Sequence, residues 1–391
     1  MSYLEKILDG ETVEWKPLGE FADYEQPTKY LVDSNNYNDN FKTPVLTAGK
    51  TFILGYTDET DGIYKASENP VIIFDDFTTA NKWVNFDFKA KSSAMKMITS
   101  KDESKASLKY IYYWMNTLPS DLVDGDHKRQ WISNYANKLI PIPCPENPKK
   151  SLEIQQKIVA ILDSFTELTA ELTAELTAEL TARRMQYNYF REKLLNCDES
   201  KVEWKTLGEV AEYSKERISS EMLDEKNYVG VDNLLQNCEG KTNSNHVPKS
   251  GNSTKYNNGD ILIGNIRPYL KKIWLADRFG GTNGDVLVIH PTDKNISSGF
   301  LYQILADDNF FEYNMQHAKG AKMPRGNKDK ILDYCFPLPS LDEQERIVSI
   351  LDKFDTLTTS ISEGLPKEIE LRKKQYEYYR DLLLTFKQPD V

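Results

Sequence analysis

Two loops of this 391-residue chain carry basic residues beside glycines, a composition that suits contact with phosphates and base edges. Arginine can hold a guanine edge through two hydrogen bonds. Arg129 precedes Pro143 by 14 residues, and Arg325 precedes Pro339 by the same number. Each loop taken alone is better explained as a solvated surface loop, and the matched placement brings DNA contact level with that alternative. The candidate residues are His127, Lys128, Arg129 and Gln130 in the first loop, and Lys319, Lys322 and Arg325 in the second.

A third group of basic residues lies between two apolar stretches. Residues 259–264 end in Ile-Leu-Ile-Gly and precede Arg267, while Lys271 and Lys272 lead directly into Ile-Trp. We predict two strands joined by a basic turn at this place. Arg267, Lys271 and Lys272 are therefore further DNA-binding candidates, ranked below the two matched loops.

The sequence lacks the usual motifs of catalysis and metal binding. It contains no glycine-rich phosphate loop, no methyltransferase motif of the Asn-Pro-Pro-Tyr type and no His-Glu-x-x-His. The four histidines are isolated, and the four cysteines are too far apart for a metal or redox spacing. Asp75 and Asp76 follow an apolar stretch and resemble a metal-binding pair, but acids at strand ends more often cap turns. We predict no catalytic residue and no metal site.

Charge and hydropathy limit the kinds of protein that this chain can be. The net charge of −11 argues against binding nucleic acid through bulk electrostatics, so other subunits would supply part of any positive surface. No segment approaches the roughly 20 apolar residues of a membrane span. The first twelve residues carry four charges and do not resemble a signal peptide. We expect a cytoplasmic protein without a membrane partner.

An internal duplication with an offset of 189 residues supplies the elements that position these loops. Val-Glu-Trp-Lys occurs twice, and so does the pattern Ile-Val-x-Ile-Leu-Asp-x-Phe. Residues 25–150 and 214–339, which lie between the repeated blocks, look unrelated to each other. Two different modules therefore sit on two copies of one scaffold. The repeated blocks are residues 13–20 with 202–209, residues 151–165 with 340–354, and residues 183–195 with 372–384.

Residues 151–196, the central scaffold copy, predict one long helix. About 45 residues at about 1.5 Å each would span about 68 Å, which is too long for one module to bury. We therefore predict antiparallel pairing with the duplicate at residues 340–386. Gly364-Leu365-Pro366 predicts a break or kink in that duplicate. The candidate pairing and spacer residues are Leu168, Leu172, Leu176, Leu180, Ile158, Leu162, Ile347 and Leu351.

The repeat Thr-Ala-Glu-Leu occurs three times without interruption at residues 169–180, and every residue type in it is compatible with a helix. Leucines that recur every four residues drift by about 40° per repeat around the helix, unlike an ordinary amphipathic face. The segment therefore resembles a ruler that sets a length and a rotation. A solvated, low-complexity helical spacer is the alternative interpretation.

The modules themselves predict short strands and a few helices, which gives an α+β fold class. Aromatic residues in the helix predicted at 108–118 could stack on bases, although core packing is favoured. Residues 3–8 echo residues 190–195, which places the N-terminus near the C-terminal helix. We predict an N-terminal scaffold segment at 1–12, module 1 at 13–150, a central helix at 151–201, module 2 at 202–339 and a C-terminal helix at 340–391. Strands are expected at 44–46, 51–54, 70–74 and 285–289, and another helix near 300–306.

This combination resembles the specificity subunit of type I restriction-modification enzymes, in the subfamily with Thr-Ala-Glu-Leu spacer repeats. The resemblance covers essentially the whole chain. Its most specific parts are Pro141-Ile142-Pro143, the Ile-Val-x-Ile-Leu-Asp-x-Phe pattern, the tetrapeptide repeats and their second copies. Module 1 is also similar to a known type of first recognition domain in that subfamily, whereas module 2 is more generic.

The resemblance implies two target recognition domains, each reading one half of a bipartite asymmetric DNA site, with two antiparallel coiled-coil helices and a pseudo-twofold duplication. It implies a non-catalytic subunit that docks two methyltransferase (modification) subunits and two motor-nuclease (restriction) subunits. S-adenosylmethionine, ATP and magnesium belong to those partners, and no cofactor is expected on this chain. From the residues alone, a coiled-coil scaffold protein with two protein-binding modules is the alternative.

Overall fold

The computed structural model describes residues 3–49, 51–118, 129–195, 202–359 and 364–386. The chain divides into two compact units. Unit 1 comprises Met1–Leu172 with Leu371–Val391, and unit 2 comprises Thr173–Glu370. Each unit contains one module together with parts of both long scaffold segments, and each mixes helices with strands, which confirms the α+β class. His127 and Lys128 lie outside the described residues.

Unit 1 contains three sheets and, among the described residues, all or part of five α-helices. In chain order the elements are α1 (Tyr3–Leu8), β1 (Val13–Pro17), β2 (Ala22–Glu25), β3 (Thr43–Leu46), β4 (Ile53–Thr57), β5 (Val71–Asp75), β6 (Asn81–Val84), β7 (Lys89–Ala90), β8 (Met95–Ser100), α2 (Leu108–Met115), α3 (Gln130–Ser133), β9 (Leu139–Pro143), the first part of α4 (Pro148–Leu195) and the last part of α10 (Gly364–Leu384). The sheets have the strand orders β2-β8-β5-β6, β4-β3-β7 and β1-β9. Strands β3, β4 and β5 confirm the three strands predicted for module 1.

Unit 2 continues α4 and also contains three sheets among its described residues. Its further elements are β10 (Glu203–Thr206), α5 (Leu207–Val210), β11 (Ala211–Tyr213), β12 (Arg217–Ser219), β13 (Tyr228–Val229), β14 (Asn252–Tyr256), β15 (Ile261–Gly264), β16 (Ile273–Leu275), β17 (Gly280–Thr282), β18 (Val286–Pro291), α6 (Ser298–Leu305), α7 (Asp308–Gln316), α8 (Lys328–Leu332), β19 (Cys335–Leu338), α9 (Leu341–Thr359) and the start of α10 (Gly364–Leu384). The strand orders of the sheets are β11-β18-β15-β16, β12-β14-β17-β13 and β10-β19.

The two modules build the same central sheet from sequences that look unrelated. Strands β2-β8-β5-β6 in module 1 match β11-β18-β15-β16 in module 2 in order, and every pairing in both sheets is antiparallel. The strands β5 and β15 occupy the same place and are buried along their whole length. The second sheets differ, with three strands in module 1 and four in module 2. The two modules therefore share the central sheet and differ in the second sheet.

The Pro-rich ends of the modules form a clasp with their first strands. In module 1, β1 pairs antiparallel with β9, and Trp15 lies opposite Pro141. In module 2, β10 pairs in the same way with β19, and Trp204 lies opposite Pro337. Proline lacks a backbone N–H, so it is tolerated in these two-stranded ribbons, where each strand has a free edge. The chain therefore enters and leaves each module on neighbouring strands.

The scaffold helices pair antiparallel within each unit, as predicted. In unit 1 the rings of Phe165 and Tyr379 lie 5.7 Å apart, and the hydroxyls of Thr166 and Tyr376 are 3.1 Å apart. In unit 2 the ring of Phe354 stacks on Phe190 at 5.6 Å and also contacts Tyr187, while Arg184 donates to the carbonyl of Thr358. The first part of α4 thus meets the end of α10 in unit 1, and the last part of α4 meets α9 in unit 2.

The predicted apolar pairing residues do not all have the same environment. Ile158 and Leu162 are fully buried in the core of unit 1, and Ile347 and Leu351 are fully buried in the core of unit 2. Leu168 is 52% exposed, so it does not make the buried pairing contact expected of it. A four-residue stripe rotates by about 40° per repeat, so its members cannot all face one partner. Leu172, Leu176 and Leu180 are half-buried.

Packing of the chain ends and of α2 follows the sequence predictions. Leu4 of α1 is buried in one cluster with Leu383, Leu384 and Phe386, which confirms that the N-terminus lies near the end of the C-terminal helix. Among the aromatic residues of α2, Tyr110, Tyr113 and Trp114 are buried in the same core, and the Tyr110 hydroxyl donates to the carbonyl of Pro141 at 2.7 Å. Core packing, rather than base stacking, explains these three rings.

The second scaffold copy is interrupted where the sequence predicts a break. Helix α9 ends at Thr359 and α10 begins at Gly364, whose φ of +80° is left-handed. A Cβ atom at residue 364 would lie 2.6 Å from the carbonyl oxygen of Thr356 and 2.7 Å from that of Leu357. Glycine is therefore required here for two reasons, backbone conformation and space.

We expect Gly364→Ala to destabilise the protein by at least about 1–2 kcal/mol, because alanine pays for the left-handed conformation and also meets two backbone carbonyls. Thermal unfolding of the variant beside wild type measures the effect. Gly284→Ala is the matched control, since a Cβ atom at residue 284 meets nothing within 4 Å. Equal unfolding temperatures for the two variants would contradict this account of the break.

Candidate nucleic-acid interface

The second basic loop closes on itself in module 2. The backbone N–H of Lys319 donates to the carbonyl of Arg325 at 2.9 Å, and the N–H of Arg325 donates to the carbonyl of Lys319 at the same distance. Gly320 has a φ of +105°, a conformation that glycine adopts without strain and that lets the chain turn tightly here. The side chains of Lys319, Lys322 and Arg325 are exposed. The loop therefore presents three cations from a fixed backbone.

This loop is joined to the turn that follows strand β15. The N–H of Arg267 donates to the carbonyl of Pro324 at 2.7 Å, and the N–H of Gly326 donates to the carbonyl of Asn265 at 3.2 Å. Ile266 and Arg325 form an isolated β-bridge between these bonds. Two candidates that are far apart in sequence, Arg267 and Arg325, thus lie on adjacent backbone segments.

The two arginines differ in their partners. Arg325 forms an ion pair with Asp285, with 2.9 Å between its Nη1 and the carboxylate Oδ1. Arg267 is half-buried in a left-handed conformation, and its guanidinium makes no hydrogen bond or ion pair with any residue that the structure describes. A partly desolvated cation without a partner is unfavourable, so a phosphate or guanine acceptor would relieve this cost.

Two asparagines lie beneath the same loops. Asn265 and Asn314 are buried, and within the described ranges the Oδ1 atoms of both have no hydrogen-bond partner. A Cβ atom at residue 326 would lie 2.4 Å from Asn314 Oδ1 and 2.8 Å from Asn265 Oδ1, so any larger residue than Gly326 would force these two side chains to shift. The basic surface therefore rests on a polar layer in which Asn265 Oδ1 and both polar side-chain atoms of Asn314 have no partner among the described residues.

Lys271 and Lys272 do not join this group. The Lys271 ammonium lies 2.6 Å from the carboxylate of Asp308 in α7. The Lys272 ammonium donates to the carbonyl of Val231 at 2.6 Å, and burial lowers the pKa of this lysine. Each would have to leave a protein partner in order to contact DNA, and their DNA-binding role stays a prediction.

Arg129 occupies the equivalent position in module 1. The residue after it, Gln130, donates its N–H to the carbonyl of Asp76 at 2.8 Å, just as Gly326 donates to Asn265. Asp76 and Asn265 are each the first residue after their central strand, β5 or β15. The match in placement that the sequence shows is therefore a match in structure.

The neighbourhood of Arg129 contains a buried ion pair. Lys96 and Asp76 are both buried and 3.6 Å apart, and Asp76 also accepts the N–H of Trp131 at 2.9 Å. Burial lowers the pKa of Lys96. The negative charge of Asp76 opposes this shift, and the nearby positive charge of Arg129 adds to it. Arg129 is exposed, whereas Gln130 is buried because its backbone docks on the central sheet. The Gln130 side chain is thus not presented for direct contact with DNA.

The acidic pair after β5 is structural. Asp75 Oδ1 accepts the N–H groups of Phe77 and Thr78 at 2.9 and 3.1 Å, which is the turn-capping role favoured by the sequence. Asp76 is held by Lys96 and Trp131 as described. Across the described residues, no group of three or more His, Cys, Asp or Glu side chains is arranged to hold a metal ion.

A model of the family described as "Type I restriction modification DNA specificity domain" matches this chain twice, at residues 10–182 and 199–371. The chain belongs to this family of type I specificity proteins. The two matches begin 189 residues apart, which is the offset of the duplication. Specificity subunits are the non-catalytic components of type I restriction-modification systems, and their two repeated domains fit recognition of a bipartite target.

Curated relatives of this type I specificity subunit align over nearly their whole length. The EcoR124I/EcoR124II specificity subunit of Escherichia coli is 50% identical over 100% of this chain and 98% of its own. A putative type I specificity subunit of Haemophilus influenzae is 31% identical over 98% of each. A crystal structure of a type I S subunit from M. genitalium shares the fold, with 16% identity, a TM-score of 0.52 and coverage of 99% and 100%.

A second solved structure, from work on "complex assembly" and "conformational transition of the type I R-M system", has 16% identity and a TM-score of 0.60. It covers 95% of this chain and 97% of that one. These structures bear out the fold. None of the described helices of this specificity subunit has both the length and the apolar character that a bilayer crossing requires.

Sequence reasoning alone missed several groups at the interface of this specificity subunit. Asp285 was not identified as the partner of Arg325, nor Asn265 and Asn314 as the layer beneath the loops. Lys96 was not identified as a neighbour of Arg129. Asn265 directly follows a predicted strand and Asp76 follows another after one residue, and this similar position was the one signal that the sequence offered.

Proposed function

We propose that this specificity subunit reads a bipartite, asymmetric DNA site, with module 1 contacting one half-site and module 2 the other. One observation carries the proposal: two modules of different sequence hold an exposed arginine at the same backbone position, next to the end of the central strand. A position kept through such divergence is better explained by a common ligand than by the stability of the fold. Arg129 would act in one half-site, and Arg267 with Arg325 in the other.

The proposed DNA surface is local, because the chain as a whole has a net charge of −11. Lys319 and Lys322 would bind phosphates beside the two arginines of module 2, since lysine contributes a compact charge without bidentate geometry. The remaining positive surface would come from partner subunits. Binding of DNA by the subunit alone is therefore expected to be weaker than binding by the complex.

The partners that we propose are two methyltransferase subunits and two motor-nuclease subunits, acting on DNA in the cytoplasm. A duplicated scaffold offers two equivalent docking surfaces, and Tyr189 and Tyr378, which are exposed, occupy matching positions on it. We propose that S-adenosylmethionine, ATP and magnesium are used by those partners and that this chain binds none of them.

Exchange of one module tests the proposal. Replacing residues 25–150 by the first module of another member of the family should change one half-site and leave the other intact, because each module has its own sheets and clasp. Sequencing of methylated adenines in cells that express the hybrid with its partner subunits gives both half-sites.

The reciprocal exchange of residues 214–339 is the control, and it should alter the other half-site. A folded hybrid whose two half-sites both change would show that the modules do not read independently. If neither wild type nor hybrids direct methylation while both still bind other proteins through their modules, the protein-binding scaffold would replace this proposal.

A further inference from the structure

A buried glutamine of the scaffold holds the start of helix α2 in module 1. Gln155 lies on α4 and is fully buried. Its Oε1 accepts the backbone N–H of Ser107 at 3.0 Å, and its Nε2 donates to the carbonyl of Lys105 at 2.9 Å. Ser107 is the N-cap of α2 and accepts the N–H of Tyr110 through its own hydroxyl. The scaffold therefore grips the capped end of a module helix.

The same arrangement occurs in unit 2 with different module residues. Gln344, the counterpart of Gln155, is fully buried on α9. Its Oε1 accepts the N–H of Ser297 at 2.9 Å, and its Nε2 donates to the carbonyl of Asn295 at 2.8 Å. Ser297 caps α6 by accepting the N–H of Phe300. Each glutamine thus accepts a hydrogen bond from the N–H of the capping serine and donates one to the carbonyl two residues before that serine.

A second contact lies farther along each pair of helices. Asp163 accepts the hydroxyl of Tyr113, and its counterpart Asp352 accepts an N–H of the Gln303 amide at 3.3 Å. The scaffold acid follows the glutamine by eight residues in both copies, and the module donor follows the serine by six. Burial raises the pKa of Asp352, and the bond from Gln303 opposes that shift. Two points fix both the position and the rotation of a module helix.

These contacts depend little on module sequence. Helix α2 reads Leu-Lys-Tyr-Ile-Tyr-Tyr-Trp-Met and α6 reads Ser-Gly-Phe-Leu-Tyr-Gln-Ile-Leu. Both glutamine bonds go to module backbone, and the aspartate accepts either a phenol or an amide as donor. Ordinary core packing would not require the same four-part geometry in two modules whose surrounding side chains differ.

We propose that Gln155 with Asp163, and Gln344 with Asp352, are positioning residues that hold each recognition module at one orientation on its scaffold helix. A module is accepted when it presents a capping serine, a carbonyl two residues earlier and a donor six residues later. The inference rests on the proposed bipartite reading of DNA. It adds that the precision of the spacer comes from these four side chains as well as from helix length.

Gln155→Met in the full chain, assembled with its methyltransferase subunits, tests the proposal. Methionine preserves the volume but leaves the Ser107 N–H and the Lys105 carbonyl unpaired, which costs enough to loosen the helix end. Methylation is measured on DNA in which the two half-sites are separated by the cognate spacer, or by one base pair more or less. We expect discrimination between these spacers to fall roughly tenfold, and Gln344→Met to do the same.

Gln186→Met is the matched control, because Gln186 is an exposed glutamine on the same helix α4. It should keep the spacer discrimination of wild type. A Gln155→Met complex that loses activity by the same factor at every spacer, or keeps full discrimination, would overturn the proposal. If wild type itself methylates no bipartite site, the proposed function fails instead.

Tyr113→Phe removes a single hydroxyl. It is the alternative test variant if the Gln155→Met subunit does not assemble with the methyltransferase subunits. It should lower the spacer discrimination to a smaller extent, since one of the two contact points remains. Hydrogen exchange gives a readout that does not depend on DNA: the Ser107 amide should lose protection in Gln155→Met while amides of strand β5 keep theirs. Unchanged protection at Ser107 would also overturn the proposal.

Discussion

Deletion of one Thr-Ala-Glu-Leu unit, residues 173–176, is expected to move methylation to sites whose spacer is one base pair shorter, with both half-sites unchanged. Helix α4 is continuous from Pro148 to Leu195, so the deletion shortens it by four residues without a break. Four residues are about 6 Å of helix and about 400° of turn, a net rotation of about 40°. One base pair of DNA is about 3.4 Å of axis and about a tenth of a turn.

The rotations agree with one base pair, and a helix inclined to the DNA axis projects less than its full 6 Å. Thr173→Ala is the matched control, because it keeps the length and removes only a hydroxyl from the repeat. Methylome sequencing of both variants decides the question. A deletion variant that keeps the original spacer, or that reads different half-site bases, would refute the hypothesis that the number of repeats sets the spacer length.

Arg267→Ala is expected to weaken specific DNA binding by about 1–3 kcal/mol and to relax or abolish recognition in the half-site of module 2 alone. The half-buried guanidinium has no hydrogen-bond or ion-pair partner among the described residues, so DNA displaces none when it binds there. Arg325→Ala should cost less, because Arg325 must first leave Asp285. Arg129→Ala should act on the other half-site.

Affinity for half-site variants, measured with the assembled methyltransferase at fixed salt, separates base reading from phosphate binding. Arg278→Ala is the control in module 2, since Arg278 is an exposed arginine paired with its neighbour Asp277. If Arg267→Ala weakens binding equally for all sequences, Arg267 binds a phosphate. If Arg267→Ala changes neither the affinity for DNA nor the preference among half-site sequences, Arg267 lies outside the interface.

The duplicated scaffold could be predicted from sequence because its side chains are themselves repeated. Gln155 with Gln344 and Asp163 with Asp352 stand at the same offset, and the apolar residues beside them predict the buried helix face. The break at Gly364 could be predicted because glycine followed closely by proline is a strong local signal. Short-range and repeated features therefore carry over from sequence to structure.

The shared central sheet could not be predicted, because the contacts that define it are between backbones. The bonds from Gln130 to Asp76 and from Gly326 to Asn265, which hold a loop beside the end of that sheet, also use only N–H and carbonyl groups, which nearly every residue type supplies. For the same reason, sequence could not reveal that Arg267 lies beside Arg325. Nor could the sequence show that the Lys272 ammonium donates a hydrogen bond to the carbonyl of Val231.

The clasp between β1 and β9, and between β10 and β19, has a consequence in polymer terms. To the scaffold, each module is a closed loop whose two ends are held one strand apart. The entropy of closing such a loop grows only with the logarithm of its length, so a module longer by a fifth costs about 0.2 kcal/mol more to close. Module length is thus nearly neutral for stability, and modules of quite different size can be carried by one unchanged frame.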